Sequence, residues 1–241
     1  MGAGFYGFPR EAMTFFRGLA RHNNREWFLA HKPIYEECVR APMLALIEAL
    51  NAALADFAPA FATDPAKAMY RIYRDVRFSN DKTPYKTHVA ASLSRRGMPK
   101  HGAAGYYFGV GPKEVEVGGG IYLPPPETLA AMRRHLATHH ERFRRLAGVP
   151  RLVRLLGEIQ GDRLARVPKG YLPDHPAADL LRLKQCYLYT TLDPAIATTP
   201  RLFTTIVESF IAMSPLIDFL NEPLVAANRR RSGKGLPLLR I

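Results

Sequence analysis

The chain has few cysteines and few acidic residues, and both shortages exclude certain classes of protein function. Its two cysteines among 241 residues, Cys38 and Cys186, lie far apart without a second pair of metal ligands nearby. A disulfide framework and a zinc site are therefore not indicated, and we expect two buried thiols. Acids are also scarce, because 21 Asp and Glu face 34 Lys and Arg. The formal net charge of +13 favours anionic partners.

Long apolar runs and targeting signals are missing as well. No run approaches the roughly 20 apolar residues that a membrane-spanning helix needs. The N-terminus lacks the charged-then-apolar pattern of a secretion signal. We therefore expect a soluble, cytoplasmic protein without a membrane partner. The sequence has no G-x-x-x-x-G-K-[ST] motif and no H-E-x-x-H motif, and we expect no cofactor and no metal.

The pattern of apolar residues predicts one α+β domain over residues 1–224. Helical periodicity covers residues 9–57 and, in the second half of the chain, residues 127–147, 150–159, 177–184 and 200–220. Strand-like runs lie near residues 70–78, 87–94, 104–111 and 114–122, and residues 186–192 alternate like a further strand. We expect a mainly antiparallel sheet of about residues 70–122, covered by N-terminal and C-terminal helices. Residues 225–241 read as a basic, flexible tail.

Residues 70–88, which we call the cationic segment, are the most informative part of the chain. They read YRIYRDVRFSNDKTPYKTH and contain two acids, Asp75 and Asp81. Their cationic or titratable side chains are Arg71, Arg74, Arg77, Lys82, Lys86 and His88. Alternation predicts a strand with two faces. One face carries Arg71, Tyr73, Asp75 and Arg77, and the other carries Ile72, Arg74, Val76 and Phe78.

The polar side of this segment is the candidate site for an anion. Arg71, Arg77, Lys82 and Lys86 are the predicted ligand-binding cations, because guanidinium forks and ammonium groups match phosphate or carboxylate oxygens. A surface ion-pair network explains the same cluster equally well. Gly119, within Gly118-Gly119-Gly120, is a further candidate, since glycine amides can cradle an anion. A β-bulge is the alternative for that tripeptide.

Arg74 faces apolar neighbours in this pattern and poses a separate question. A buried guanidinium has to be paired, because an uncompensated buried charge costs several kcal/mol. We expect a carboxylate partner from a packed helix, with Glu26 or Asp179 as candidates. Asp81 fits a turn better than a catalytic base.

Three residues of the cationic segment are weak candidates for catalysis. His88 titrates near neutrality, and a nearby cation lowers the pKa of a tyrosine such as Tyr85. Asp75 suits the orientation of Arg71 or Arg77. A structural, hydrogen-bonding role is favoured for Tyr85, and no nucleophile partner is evident. Whether the protein is an enzyme is left open.

Other polar and aromatic residues have simpler structural interpretations. Trp27 and Phe28 are expected in the core. Asp174-His175 fits N-capping of the helix that follows, although a loop between prolines also suits presentation to a pocket. His135 and His139 have the i,i+4 spacing of metal ligands, but no third ligand is evident.

Several spaced blocks of the sequence are similar to an uncharacterised family. The cationic segment matches its pattern R-x-x-R-D-x-R-F-x-x-x-K-x-x-Y through Arg71, Arg74, Asp75, Arg77, Phe78, Lys82 and Tyr85. Further blocks are residues 23–28, 118–121, 169–171, 174–176 and 180–182. With these blocks in order, the chain resembles the bacterial and fungal family catalogued as domain of unknown function 2461. The resemblance implies membership and no activity, so function has to be argued from the site.

These observations lead to one functional hypothesis and one alternative. The hypothesis is a small phosphorylated or carboxylated ligand, bound where the cationic segment, the glycine tripeptide and the 169–176 loop converge on one cleft. The alternative is a nucleic-acid-binding module that uses a distributed basic surface. The sequence does not decide the oligomeric state.

Overall fold

The computed structural model describes residues 5–77, 79–98 and 102–233, with the backbone alone for residue 227 and residues 229–233. In this part of the chain, helices and a four-stranded antiparallel sheet form the predicted α+β fold. The helices are α1 (Arg10–Arg21), α2 (Arg25–Ala30), α3 (Lys32–Ile34), α4 (Ala41–Phe57), α5 (Pro65–Ala68), α6 (Pro126–Ala147), α7 (Pro150–Leu156), α8 (Ala178–Leu181) and α9 (Arg201–Gly233). A π-helical segment occupies Tyr35–Arg40, and 3₁₀ turns occupy Pro59–Phe61 and Pro194–Thr198.

The strands differ in part from the predicted set. They are β1 (Val89–Leu93), β2 (Gly105–Val110), β3 (Val115–Ile121) and β4 (Cys186–Leu192), in the spatial order β1-β2-β3-β4. Strand β1 pairs antiparallel with β2, with Val89 opposite Val110. The further strand at residues 186–192 is confirmed, whereas the predicted strand at residues 70–78 is wrong. Among the described residues of this range, Tyr73 alone makes an isolated bridge, and Met69 makes another just before it.

The N-terminal helices follow local signals, with one interruption. Asn24 caps α2 as predicted, because its Oδ1 accepts from the Trp27 N–H at 2.9 Å and so pairs a free amide of the first turn. The long helix expected from Pro33 onward is interrupted by the π-helical segment before α4 begins. An i→i+5 turn of this kind is frequent at functional sites.

The contacts of the chain divide it into two compact units. Unit 1 comprises Met1–Leu93, Tyr106–Gly118 and Thr190–Ile211. Aromatic rings form much of its core: the ring centroid of Tyr106 lies 5.0 Å from that of Phe61 and 4.6 Å from that of Phe210. Phe28 is buried there as predicted, while Trp27 is only half-buried and stacks on His31 with ring centroids 3.9 Å apart.

Unit 2 comprises Ser94–Gly105, Gly119–Tyr189 and Ala212–Ile241. In its core, Phe143 of α6 and Phe219 of α9 have ring centroids 5.8 Å apart. Arg142 covers the Phe219 ring and pairs with Glu222, with Nη2 2.6 Å from Oε1. The guanidinium of Arg142 thus makes a cation–π contact with the ring and is also paired with a carboxylate.

Both cysteines are free thiols. Cys186 lies in the core of unit 2, and burial raises its pKa to about 12, so it stays protonated. Cys38 is half-buried, and desolvation followed by the charge of Glu37 raises the pKa of its thiol. The expectation of a buried thiol is therefore met by Cys186.

The apolar helices bear on the membrane and tail predictions. By length and composition, Lys32–Phe57 and Arg201–Ala226 are long enough to span a bilayer, but core helices of soluble proteins pass the same test. Their buried faces are core residues, as in a soluble domain. Helix α9 continues to Gly233, past the predicted boundary at residue 224. Residues 234–241 lie outside the described part, and the single-domain prediction stays a prediction.

A buried asparagine joins α9 to the loop before β2 within unit 2. The Asn221 Oδ1 accepts from the Ala104 N–H at 2.9 Å, and its Nδ2 donates to the Ala104 carbonyl at 3.1 Å. Asn221 is 2% exposed and Ala104 is fully buried. One side chain therefore satisfies both backbone groups of a buried residue that lies outside the sheet.

We expect Asn221→Ala to lower the free energy of unfolding by about 1–3 kcal/mol, because both buried backbone groups of Ala104 lose their partner. Urea denaturation of the parent and the variant measures this difference. Asn228→Ala is the matched control, since it makes the same change in the same helix and removes an exposed bond to the Gly97 carbonyl. Its effect should stay within about 0.5 kcal/mol. Equal losses in the two variants would contradict the special role of Asn221.

Candidate functional site

The cationic segment forms an irregular hairpin in unit 1. Tyr73 and Tyr85 face each other in an isolated antiparallel bridge, and the Lys86 N–H donates to the Ile72 carbonyl at 2.8 Å. These bonds are too scattered for a continuous ladder, which is the physical reason that the predicted strand is absent from its described residues.

The predicted alternation of faces is nevertheless present in the exposure of the side chains. The exposed residues are Arg71, Tyr73, Asp75 and Arg77. Ile72 is buried, and Arg74 and Val76 are half-buried. Phe78, assigned to the inner face, lies outside the described residues. Exposure therefore follows the period-2 pattern even where the backbone makes only isolated bridges.

An asparagine from the turn between α1 and α2 holds the second arm of the hairpin. The Asn23 Oδ1 accepts from the Tyr85 N–H at 3.0 Å, and its Nδ2 donates to the Tyr85 carbonyl at 2.9 Å. The Tyr85 ring stacks on Phe28, with centroids 4.4 Å apart and planes at 20°. Burial, followed by the neighbouring Tyr73, raises the pKa of Tyr85. These contacts favour the structural role for Tyr85 over proton transfer.

Arg74 is paired, but not with either predicted partner. Its Nη1 donates to the Asp81 carboxylate and to the Thr83 hydroxyl across the turn of the hairpin. The predicted partners are wrong, since Asp179 pairs instead with Arg144. The guanidinium is also less buried than expected, with 27% of its side chain exposed. A local turn supplies its carboxylate because Asp81 is brought opposite Arg74 by the chain reversal.

Two carboxylates on the hairpin are held ionised by local donors. The Thr83 N–H and the Arg74 side chain lower the pKa of Asp81 to about 2, so its role is the turn, as expected. The Arg77 guanidinium binds Asp75 through two bonds, Nε to Oδ1 at 3.0 Å and Nη2 to Oδ2 at 2.7 Å. These bonds lower the pKa of Asp75 to about 2. Asp75 therefore orients Arg77, one of its two predicted partners.

The two lysines of the segment bind backbone carbonyls of the hairpin. The Lys82 Nζ donates to the Val76 carbonyl at 3.0 Å. The Lys86 Nζ donates to the Arg71 carbonyl at 3.1 Å and lies 5.3 Å from the centroid of the Tyr70 ring. Both ammonium groups thus stabilise the hairpin by bonding to its own backbone. A ligand role for Arg77, Lys82 and Lys86 stays a prediction.

Arg71 lies in a different setting, on a cavity in unit 1 that we call the π-helix cavity. Its volume is about 330 Å³. The cations on its wall are Lys32, Arg40 and Arg71. Its aromatic residues are Phe28, Tyr35, Tyr70 and Tyr73, and its acid is Glu36. The π-helical segment contributes Tyr35, Glu36 and Arg40, so the local widening of the helix supplies part of the wall.

The electrostatics of the cavity favour negative charge. Glu36 is engaged by Arg40, with Nη1 3.3 Å from Oε2. Burial, and then the charge of Glu36, raise the pKa of Tyr35 to about 12. Tyr35 therefore keeps its proton and offers a neutral hydroxyl donor. Lys32 and Arg71 leave the wall with a positive charge that Glu36 does not cancel.

Sequence reasoning missed Lys32, Tyr35 and Arg40. Lys32, Glu36 and Arg40 recur every four residues, which places them on one helix face. That pattern is the only available signal, and any solvated helix face shows it. The π-helical segment itself has no recognisable sequence signature.

His88, the remaining catalytic candidate, is half-buried and lies immediately before β1. Burial lowers its pKa, and the positive charge of Lys86 acts in the same direction against the opposing charge of Glu116. The imidazole is therefore neutral at pH 7. A catalytic role for His88 stays a prediction.

Gly119 has a packing explanation within unit 2. A Cβ at this position would collide with the Met213 sulfur and would lie 2.9 Å from the Gly105 carbonyl oxygen. Gly120 has φ +131°, a conformation that favours glycine. Gly119 belongs to unit 2 and the cationic segment belongs to unit 1, and the predicted shared cleft stays a prediction.

The remaining polar candidates in unit 2 form local contacts. His175 Nδ1 accepts from the Ala177 N–H at 3.0 Å, so the pair Asp174-His175 supports the start of α8 through its histidine. His135 Nε2 lies 3.3 Å from Glu222 Oε2, and burial lowers the pKa of His135. Within the described ranges, no group of three or more His, Cys, Asp or Glu is arranged to hold a metal.

We expect Arg77→Gln to raise the pKa of Asp75 toward its ordinary value, because the Arg77 side chain is the main cause of its low pKa. Arg74→Gln should raise the pKa of Asp81 by less, since the Thr83 N–H remains as the largest cause. An NMR titration of the aspartate carboxyl carbons from about pH 1.5 to pH 6 measures both values.

Each of these two variants controls for the other, because each pair is local. The stability that the two pairs contribute is present above the ordinary aspartate pKa of about 3.9. It is lost as the pH falls through the folded pKa of about 2, where both carboxylates protonate. A shift of both aspartates in either variant would contradict two separate pairs.

Residues 11–219 match the family described as conserved hypothetical protein (DUF2461). A search of curated proteins finds no match. The matched range contains the cationic segment and the residues that line the π-helix cavity. Because the match covers well over half of its length, the chain belongs to the DUF2461 family.

Proposed function

We propose that unit 1 binds a small phosphorylated or carboxylated ligand in the π-helix cavity, with Arg71 as its main anchor. The observation that carries the proposal is the convergence of Lys32, Arg40 and Arg71 on one concave wall that contains a single acid, Glu36. A volume of about 330 Å³ suits a small metabolite. A cytoplasmic location is part of the same proposal.

The engagement of the other cations supports Arg71 as the anchor. Arg74 and Arg77 bind carboxylates of the hairpin, and Lys82 and Lys86 bind its carbonyls. For the side chains of Arg71 and Lys32, no hydrogen bond or ion pair is found within the described ranges. A ligand can therefore bind these two charges without breaking a hydrogen bond or ion pair of the folded protein.

The wall of the cavity also indicates the shape of the ligand. Phe28, Tyr35 and Tyr73 present aromatic surface beside the cations, and Tyr73 is 52% exposed. Aromatic faces pack well against flat or apolar groups, while the guanidinium fork of Arg71 binds two oxygens of a phosphate or carboxylate. An anion that also carries a planar or apolar part fits both features.

The proposal concerns binding and includes no reaction. None of the catalytic candidates Asp75, Tyr85 and His88 is among the residues that line the cavity. Nucleic-acid binding by a distributed basic surface remains the alternative. Its signature would be an affinity that falls steeply with salt, because many phosphates would release counterions.

We expect Arg71→Ala and Lys32→Ala to suppress the stabilisation that an anionic ligand gives. At a ligand concentration of about 100 times Kd, a ligand of the native state stabilises it by about 2.7 kcal/mol. A tenfold weaker Kd would reduce this gain to about 1.4 kcal/mol. Thermal shifts with inorganic phosphate, a sugar phosphate, a nucleoside monophosphate and citrate measure the gain for parent and variants.

Arg17→Ala is the charge-matched control, because Arg17 is an exposed cation of α1 that does not line the cavity. It should retain the full gain. Arg77→Ala and Lys82→Ala test whether the ligand binds at the turn of the hairpin. If these two variants lose the ligand-dependent stabilisation and Arg71→Ala keeps it, binding in the π-helix cavity is contradicted. Equal, modest losses in all variants, with a steep salt dependence, would favour nucleic acid instead.

A further inference from the structure

A second cavity lies wholly within unit 2, and we call it the unit 2 cavity. Its volume is about 610 Å³. It is formed by part of the loop between α7 and α8 together with α8 itself and the residue that follows it. The apolar residues on its wall are Ala165, Val167, Pro173 and Ala178. Its charged residues are Arg166, Asp179 and Arg182.

The single acid of this wall is already neutralised. Arg144 binds Asp179 through two bonds, Nη2 to Oδ1 at 2.7 Å and Nη1 to Oδ2 at 3.1 Å. The same Nη2 donates to the Pro176 carbonyl at 3.1 Å. The bonds from Arg144 lower the pKa of Asp179 and keep it ionised. Arg166 and Arg182 therefore leave the cavity with an excess of positive charge.

Arg182 carries a buried donor that the protein does not satisfy. Within the described part of the chain, its Nε is fully buried and has no hydrogen-bond partner. Buried donors are paired in the great majority of cases, and those of a charged group cost most when they are not. The buried Nε is closed to a ligand, but no partner is found for the terminal Nη groups within the described ranges either, so these groups are left to bind an acceptor in the cavity that Arg182 lines.

The backbone around Arg182 is fixed in position. The Leu164 N–H donates to the Arg182 carbonyl at 2.7 Å, and Arg163 and Leu183 form an antiparallel bridge. On the other side, the Arg133 Nη2 donates to the Leu183 carbonyl at 3.0 Å. The fixed backbone places Arg182 beside the cavity, so that a ligand has only the side chain of Arg182 to order.

We propose that the unit 2 cavity binds a small carboxylate with an apolar body, distinct from the ligand of the π-helix cavity. The planar fork of Arg182 matches the two oxygens of a carboxylate, and Arg166 adds a second positive charge. The apolar part of the ligand packs against Ala165, Val167, Pro173 and Ala178. A bare phosphate is disfavoured, because these four residues offer no side-chain donors for its remaining oxygens.

Hexanoate is the probe for this site, and hexanamide is its neutral counterpart of similar shape. Saturation-transfer NMR titrations of the parent should show saturable binding of hexanoate, weaker binding of acetate and no binding of hexanamide or inorganic phosphate. Arg182→Gln should weaken hexanoate binding at least about tenfold, which corresponds to about 1.4 kcal/mol. Arg166→Gln should weaken it less, because Arg166 is exposed.

Arg154→Gln is the control, since Arg154 is an exposed arginine of α7 in the same unit that does not line the cavity. It should bind hexanoate like the parent. Thermal unfolding without ligand checks that each variant folds, and if Arg182→Gln does not, Arg166→Gln and the comparison with hexanamide decide the outcome.

Three results would overturn the proposal. The first is absence of saturable hexanoate binding by the parent up to about 10 mM. The second is equal binding of hexanoate and hexanamide. The third is loss of hexanoate binding in Arg71→Ala together with its retention in Arg182→Gln and Arg166→Gln, which would place the probe in the π-helix cavity. The thermal shifts with phosphate and citrate test the π-helix cavity alone. If Arg71→Ala leaves those shifts unchanged, the hexanoate test still decides the unit 2 cavity, so the two proposals can fail separately.

Discussion

The side-chain amide of Asn23 is the contact on which the candidate site depends most. It pairs both backbone groups of Tyr85, as a neighbouring strand would, and so orders a hairpin that has no continuous ladder in its described part. The same two-point bond recurs where Asn51 meets Thr63 and where Asn221 meets Ala104. Asparagine suits this task because its amide carries one acceptor and donors in nearly the geometry of a peptide group.

A hairpin with few backbone bonds needs other contacts, and its charged side chains supply them. Arg74 ties the two arms through Asp81 and Thr83, and Lys82 and Lys86 bind backbone carbonyls. A dense cluster of cations therefore has a largely internal explanation. Arg71 stands apart because its guanidinium lies on a cavity wall and not across the turn. The bonding partners of each side chain in the folded protein therefore distinguish a structural cation from a candidate for ligand binding.

The sequence predicted the features that depend on neighbouring residues. The Asn24 cap, the helix at Pro126–Ala147 and the strand at Cys186–Leu192 follow from local chemistry and periodicity. The alternation around Arg71 to Arg77 predicted exposure correctly, but a strand also needs a partner at matching register, which alternation does not report. The partner of Arg74 was missed for a related reason. A turn seven residues away, and not a packed helix, supplied the carboxylate.

Features that depend on non-local geometry had no sequence signal. Nothing in the residues 35–40 distinguishes a π-helical segment from an α-helix, yet that segment lines the proposed site. Arg182 is a second example, because the sequence shows the charge of an arginine but not the hydrogen-bond acceptors that the fold places around it. No acceptor for its guanidinium is found within the described residues, whereas the guanidinium of Arg144 has three oxygen acceptors. An arginine is therefore a candidate for ligand binding when it lines a cavity and the folded chain leaves its donors unused, and abundance of arginine alone is not enough.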